Sequence, residues 1–213
     1  MEKILWIDTE TTGLHPKRNA MIEMAGIVEI DSHIEETFTL LFKPPIDAKI
    51  DQAALDTNGR TKEELAEFPD IVTNITALKK RFSTYINRFD PRDKFVAAGY
   101  NVNFDLGFLR ETFVRAGDTY GIGSWVFNTP MDIWGDVAKA VLHLGLRLPN
   151  YKLLTVCGHY GISINAHNPM SDIEATRELH FLLEGKLDAK KIRESNYKSI
   201  PQNAKPAHQV QMS

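Results

Sequence analysis

Ile4-Leu5-Trp6-Ile7 is an unbroken apolar run, the pattern of a strand covered on both faces, and it ends in Asp8-Thr9-Glu10. A strand is therefore expected over residues 3–9. A turn follows at Thr11-Thr12-Gly13-Leu14-His15-Pro16, where Gly and Pro punctuate the chain. Between Met21 and Ile30 the positions Ile22, Met24, Gly26, Val28 and Ile30 alternate against Glu23 and Glu29, which predicts a second strand. A third is expected from Thr37 to Phe42, stopped by Pro44-Pro45. The short connections suggest an antiparallel meander.

Helical spacing then takes over. Thr61 and Glu64 have the form of a capping box. Ile71, Ile75, Leu78, Phe82 and Ile86 recur at helical intervals and predict a helix over 71–89. A short buried strand is expected at Phe95–Ala98. Helices are expected over 103–116 (with Gly117 at its end), 133–146, 153–160 and 171–183. Strands first, then helices interrupted by a strand, predict an α/β fold: a mixed sheet flanked by helices. After Gly185, Lys186, Lys190, Lys191, Arg193, Lys198 and Lys205 face only Asp188 and Glu194. Residues 1–186 thus read as a single domain and 187–213 as a polar, partly basic tail with room for one short helix. A solvated terminus accounts for that tail; a basic arm on a nucleic-acid backbone is the alternative.

A length of 213 residues suits one domain with a core of its own. The formal charge of −3 excludes a strongly basic nucleic-acid footprint but not nucleic-acid binding, because bound metal ions reverse the sign locally. Cys157 is alone, so no intrachain disulfide forms; it reads as a small buried apolar residue, and a cytoplasmic, reducing setting is expected. No apolar run approaches the roughly 20 residues needed to span a bilayer, so no membrane role is expected, nor a secretory signal.

Four places hold side chains that could converge. Asp8 and Glu10, two apart on a strand, project from the same face. Adjacent carboxylates resist desolvation unless a cation joins them, and a hard divalent ion takes oxygen ligands. Asp105 follows the short strand, and His167 and Asp172 lie near the start of the last helix. Each also has a plain structural explanation. An acidic pair can close a strand. Asp105 gains about 0.3–1 kcal/mol in the first turn of a helix. Ser171 with Glu174 would make Asp172 a first-turn acid too, while Asn168-Pro169 offers a rival start that puts it about one turn in. His167 alone could be an ordinary loop histidine. The conjunction at element boundaries favours a site.

Asp8-Thr9-Glu10-Thr11-Thr12-Gly13-Leu14, Asn101-Val102-Asn103-Phe104-Asp105 and His167-Asn168-Pro169-Met170-Ser171-Asp172 resemble the three motifs of the DEDD superfamily of 3′→5′ exonucleases. The histidine five positions before the last Asp resembles the DEDDh branch, which includes epsilon-subunit and ribonuclease T-like members; the tyrosine branch would use position 168, here Asn168. Ala54-Leu55-Asp56-Thr57-Asn58-Gly59 resembles a further family loop. The match runs over about residues 3–184. The resemblance implies a ribonuclease-H-like mixed β-sheet flanked by α-helices. It implies two Mg²⁺ or Mn²⁺ held by Asp8, Glu10, Asp105 and Asp172, with Asp8 bridging the ions and His167 taking the proton from the attacking water. An ion pair stabilises both attacking and leaving oxygens in phosphoryl displacement, and an unperturbed imidazole titrates near pH 6.5, which suits a base.

The resemblance also implies substrate contacts at Thr12, Leu14, Asn58 and Phe104. Leu14 and Thr57 stand where ribonuclease T-like members carry aromatics, so base-stacking specificity of that kind is not implied. Phe104 is equally readable as core, four residues before Phe108. Trp125, Phe127 and Trp134 read as core or cleft wall, and His143, His159 and His180 have no partner at metal-ligand spacing. Gln209-Val210-Gln211-Met212 has the beginning of a sliding-clamp-binding peptide without its apolar completion. The expected substrate is single-stranded DNA or a frayed 3′ end. Short RNA, an endonuclease of the same fold, and an idle binding subunit accessory to a polymerase are the alternatives. Association with a polymerase or clamp, and homodimerisation, stay open.

Overall fold

The computed structural model describes residues 1–165 and 167–198, with side chains to residue 186. Its single sheet is formed by β1 (Lys3–Thr11), β2 (Met21–Ile30), β3 (His33–Leu41), β4 (Val96–Gly99) and β5 (Met131–Asp132), in the order β3-β2-β1-β4-β5. The first three strands form the expected antiparallel meander, while β4 and β5 add in parallel beside β1. The helices are α1 (Gln52–Asn58), α2 (Lys62–Ala66), α3 (Ile71–Tyr85), α4 (Val102–Arg115), α5 (Ile133–Lys139), α6 (Leu153–Tyr160) and α7 (Pro169–Lys198). Among the described residues no helix is long and apolar enough to cross a membrane.

Strand alternation sorts β1 between two cores. Leu5 and Ile7 pack with Ile75, Leu78 and Phe82 of α3 and Leu106, Leu109 and Phe113 of α4. Ile4 and Trp6 pack on the opposite face with Ile133 and Val137 of α5, Val156 of α6, and Ile173 and Leu179 of α7. This double cover explains the unbroken apolar run. It also changes the reading of β2. Glu23 and Glu29, expected on a polar face, are both buried, because helices leave neither face to water. Each is bonded as burial requires: Arg60 donates to Glu23 at 2.7 Å, while Trp6 Nε1 and Arg177 donate to Glu29 at 2.8 and 2.7 Å.

Local signals set most helix ends. The capping box at Thr61 and Glu64 forms in both directions. Helix α3 stops at Tyr85, short of the expected 89, because Ile86 turns to extended backbone and drops into the core. The helix expected over 133–146 breaks after Lys139 into one π-helical turn, Ala140–Leu144, closed by Gly145 at φ 72°. The rival start of α7 prevails: Pro169 opens the helix and the Asn168 side chain accepts the Ser171 N–H at 3.0 Å. Helix α7 continues through Gly185 to Lys198, so the change in composition there falls inside one helix. The remainder of the tail, including Gln209-Val210-Gln211-Met212, lies outside the described residues.

Candidate active site

Asp8 and Glu10 lie at the end of β1 and share, by alternation, the strand face of Ile4 and Trp6. Thr9 points the other way, towards α4, and its hydroxyl donates to Asp105 Oδ1 at 2.7 Å. Asp105 stands in the first turn of α4 and is 3% exposed. Its approach is set by Gly99, where a Cβ would stand 2.7 Å from the Ile7 carbonyl oxygen, and by Asn101, which takes φ 63° to start the helix. Asp172 lies about one turn into α7, its N–H donating to the Asn168 carbonyl at 2.9 Å. His167, at φ 65°, precedes that helix in the left-handed region that non-glycine residues seldom occupy.

The acids feel one another. Burial first, then the charges of Asp105, Asp172, Glu10 and Glu23, hold the Asp8 carboxyl well above the ordinary carboxylate range. Glu10 is pushed up to about 8 by burial and by Asp172, Glu23 and Asp105, with Arg60 opposing. Burial lifts Asp105 to about 7 against the hydrogen bond from Thr9, and Asp132 adds to the rise. Burial also raises Asp172, while a backbone hydrogen bond and the charge of His167 pull it down. Three distant segments thus bring four predicted acids into mutual electrostatic range, with the predicted histidine beside the last.

One atom shows what such a cluster could hold. Among the described residues the buried Asp172 Oδ1 has no hydrogen-bond partner, a condition that costs roughly 1–3 kcal/mol for an acceptor. An all-carboxylate donor set with an unpaired buried oxygen fits a hard divalent cation such as Mg²⁺ or Mn²⁺, and offers no soft ligand. Among the described residues no three Asp, Glu, His or Cys side chains already close a ligand shell. The acids share a field rather than a finished cage.

Beside Glu10 opens a cleft of about 660 Å³, lined among others by Leu14, Asn58 and Phe104. Leu14 is 74% exposed there. Asn58 is anchored by donating to the Thr11 carbonyl at 2.9 Å. Phe104 lines the cleft and also packs on the core and on Phe108, ring centroids 5.0 Å apart. Thr12 departs from expectation. It is wholly buried, and its hydroxyl donates to the Lys49 carbonyl and accepts the Ala20 N–H, so it holds the turn together and does not reach the cleft.

Sequence reasoning missed Thr9, Glu23 and Arg60. Period-two alternation could have placed Thr9 on the α4 side. The opposition of Glu10 and Glu23 requires the β1–β2 register, and Arg60 comes from the loop after α1.

A mixed sheet covered on both faces, with acids gathered at its strand ends, is the ribonuclease-H-like architecture of exonucleases. The Exonuclease (RNase_T) family model matches residues 5–180, and the chain belongs to that family, within the DEDD superfamily its motifs resemble. It is 28% identical over 186 residues to a PolC-type DNA polymerase III from Oceanobacillus iheyensis, covering 87% of this chain but 12% of that protein. It is 26% identical to ribonuclease T from Photobacterium profundum, covering 81% of this chain and 78% of that one. In fold it is similar to E. coli ExoI, in a zinc-bound complex with single-stranded DNA, at TM-score 0.73 and 23% identity, over 91% of this chain and 42% of that chain. A moderately thermophilic Exonuclease I from Methylocaldum szegediense matches at TM-score 0.72 and 22% identity, over 92% and 43%. The chain thus spans about an eighth of the polymerase and less than half of either Exonuclease I.

Proposed function

We propose that this chain is a divalent-metal-dependent 3′→5′ exonuclease that releases nucleoside 5′-monophosphates from single-stranded or frayed 3′ ends of DNA. The observation that carries the reading is the mutual repulsion of buried Asp105 with half-buried Asp8, Glu10 and Asp172, one Asp172 oxygen having no hydrogen-bond partner among the described residues. Family membership supports hydrolysis of nucleic acid from an end, and the ExoI complex supports a single strand as substrate.

Asp8, Glu10, Asp105 and Asp172 would hold the metal; when bound, it supplies Lewis acidity and concentrated positive charge opposite the phosphate. Thr9 orients the Asp105 carboxylate. Leu14, Asn58 and Phe104 seat the terminal nucleotide in the cleft. His167 accepts a proton from water as the water oxygen bonds to phosphorus and the bond from phosphorus to O3′ of the preceding nucleotide breaks. The departing O3′ takes a proton from solvent, so the shortened strand regains a 3′-hydroxyl, and the free nucleotide keeps its 5′-phosphate.

The test is digestion of end-labelled DNA and RNA oligonucleotides with Mg²⁺, Mn²⁺ or EDTA. Stepwise shortening from the 3′ end that needs metal and disappears in Asp8→Ala is expected. Metal-independent release, or cutting of circular single strands, would refute it. A second reading, an exoribonuclease for short RNA or RNA 3′ tails, is favoured by the ribonuclease T relative, which the chain matches over most of its length. The ratio of RNA to DNA turnover in the same assay decides between the two. The PolC-type relatives support association with a polymerase, testable by co-purification.

A further inference from the structure

A second hollow, of about 610 Å³, opens at the approach to α4, with Tyr100, Asn101, Trp134, Tyr151 and Lys152 among its lining residues. The start of α4 links it to the acid cleft. Tyr100 and Asn101 immediately precede α4, whose first turn carries Asp105, and Phe104 of that same turn lines the cleft. One carboxylate braces the hollow: Asp132 Oδ1 accepts the backbone N–H of Asn101 at 2.9 Å and that of Trp134 at 3.1 Å. A third brace is the Tyr100 hydroxyl, which donates to the Tyr151 carbonyl and joins the approach to α4 to the segment before α6. Burial keeps that phenol protonated well beyond the usual range.

The lining is chemically one-sided. Trp134 is 47% exposed, a large aromatic surface left beside solvent in an open, shallow hollow. Lys152 is exposed and, among the described residues, forms no ion pair; the Asn101 side chain does not cap its helix. Among the described residues no carboxylate lines the hollow, whereas Glu10 and Asp51 line the acid cleft. Aromatic faces with an ammonium and an amide match a base and its phosphate, the two repeating parts of a single strand. A divalent cation would find no oxygen anion there, and a purely apolar segment would desolvate Lys152 without return.

We propose that this hollow holds a nucleotide upstream of the scissile bond, its base against Trp134 and its phosphate on Lys152. The proposal rests on the nuclease reading and extends it: the enzyme grips a single strand in both the cleft and the hollow, so affinity depends on strand length. A duplex keeps its bases stacked inside and offers none to Trp134.

The experiment compares two substrates. The p-nitrophenyl ester of thymidine 5′-monophosphate has only the terminal nucleotide, whereas single-stranded oligonucleotides reach the hollow. Trp134→Ala should raise KM for oligonucleotides about tenfold relative to its effect on the ester, within the range for loss of one base–aromatic stack. Trp134→Tyr should restore most of it, with kcat little changed. Lys152→Gln should raise oligonucleotide KM and reduce the salt dependence of binding by about one ion contact. If KM for every oligonucleotide is unmoved in both variants while the wild type is active, the hollow lies off the strand path and the proposal fails. Equal losses on ester and oligonucleotide, not rescued by Trp134→Tyr, would make Trp134 a structural residue and also overturn it. If the wild type hydrolyses neither substrate with metal, the nuclease reading falls and takes this one with it.

Discussion

Thr9 Oγ1 donates to Asp105 Oδ1 at 2.7 Å, joining the residue between Asp8 and Glu10 to an acid 96 positions further along the chain. The bond holds the carboxylate of a buried Asp in one orientation and favours its charged form, against the burial that pushes it up to about 7. Thr9→Val keeps the shape and removes the donor. Asp105 then takes up a proton at higher pH, so the acidic limb of the pH–rate profile moves upward and turnover near pH 7 falls about tenfold. A superimposable profile would show that the bond does not orient a working ligand.

His167→Ala tests the proton acceptor. Turnover should fall about 10²–10⁴-fold, the usual contribution of a general base. Mn²⁺ should still raise the melting temperature, since the four acids remain. An unchanged rate removes His167 from the chemistry, and loss of the manganese effect would make it a ligand instead.

Glu10 and Asp105 titrate at about 8 and about 7 in the folded chain, against about 4.3 and 3.9 in an unfolded one. Their folded forms bind protons more tightly, so the stability linked to them is full below about pH 4 and is lost as pH rises through 7 and 8. Cations displace those protons, so stabilisation by Mg²⁺ or Mn²⁺ grows over the same interval. Thermal melting with metal and with EDTA should show a gap that widens from about pH 5.5 to about pH 8.5. A gap that narrows would mean the acids are not the ligands.

The charge of Arg60 pulls Glu10 down, and Arg60 bonds Glu23, the cross-strand neighbour of Glu10. Arg60→Ala leaves a second unpaired carboxylate beside the cluster. Its cost should be about 1–2 kcal/mol by urea unfolding in EDTA, reduced from a fully buried pair because the Arg60 side chain is 31% exposed. Adding Glu23→Gln should recover most of the loss. If the double variant is no better than the single, the two residues are not energetically coupled.

The strand and helix boundaries were legible wherever a local cause set them. Helix α6 spans Leu153–Tyr160 as its apolar spacing predicts, and β2 spans Met21–Ile30. Pro169 and Asn168 start α7 by local capping, although Ser171-Asp172-Ile173-Glu174 carries an equally good signal. The choice fell to Asn168 because Ser171 Oγ is engaged elsewhere, accepting the Asn165 N–H at 2.8 Å. That bond belongs to a loop conformation, which spacing alone does not encode.

By itself the sequence determined which residues can carry charge, which faces they occupy, and the three motifs whose order and spacing resemble the family. Period-two and helical alternation depend on neighbours within a few positions, so they survive without a fold. Tertiary structure alone decided that Glu29 is buried and paired with Arg177 across 148 positions, that Thr12 is spent inside a turn, and that Trp134 and Lys152 line one hollow with Asn101 at the approach to α4. These are contacts between segments whose meeting depends on sheet register and on helices covering both faces. Burial and mutual charge act only after that meeting, which is why the raised pKa values of the acids could be expected in kind from the sequence but located only in the folded chain.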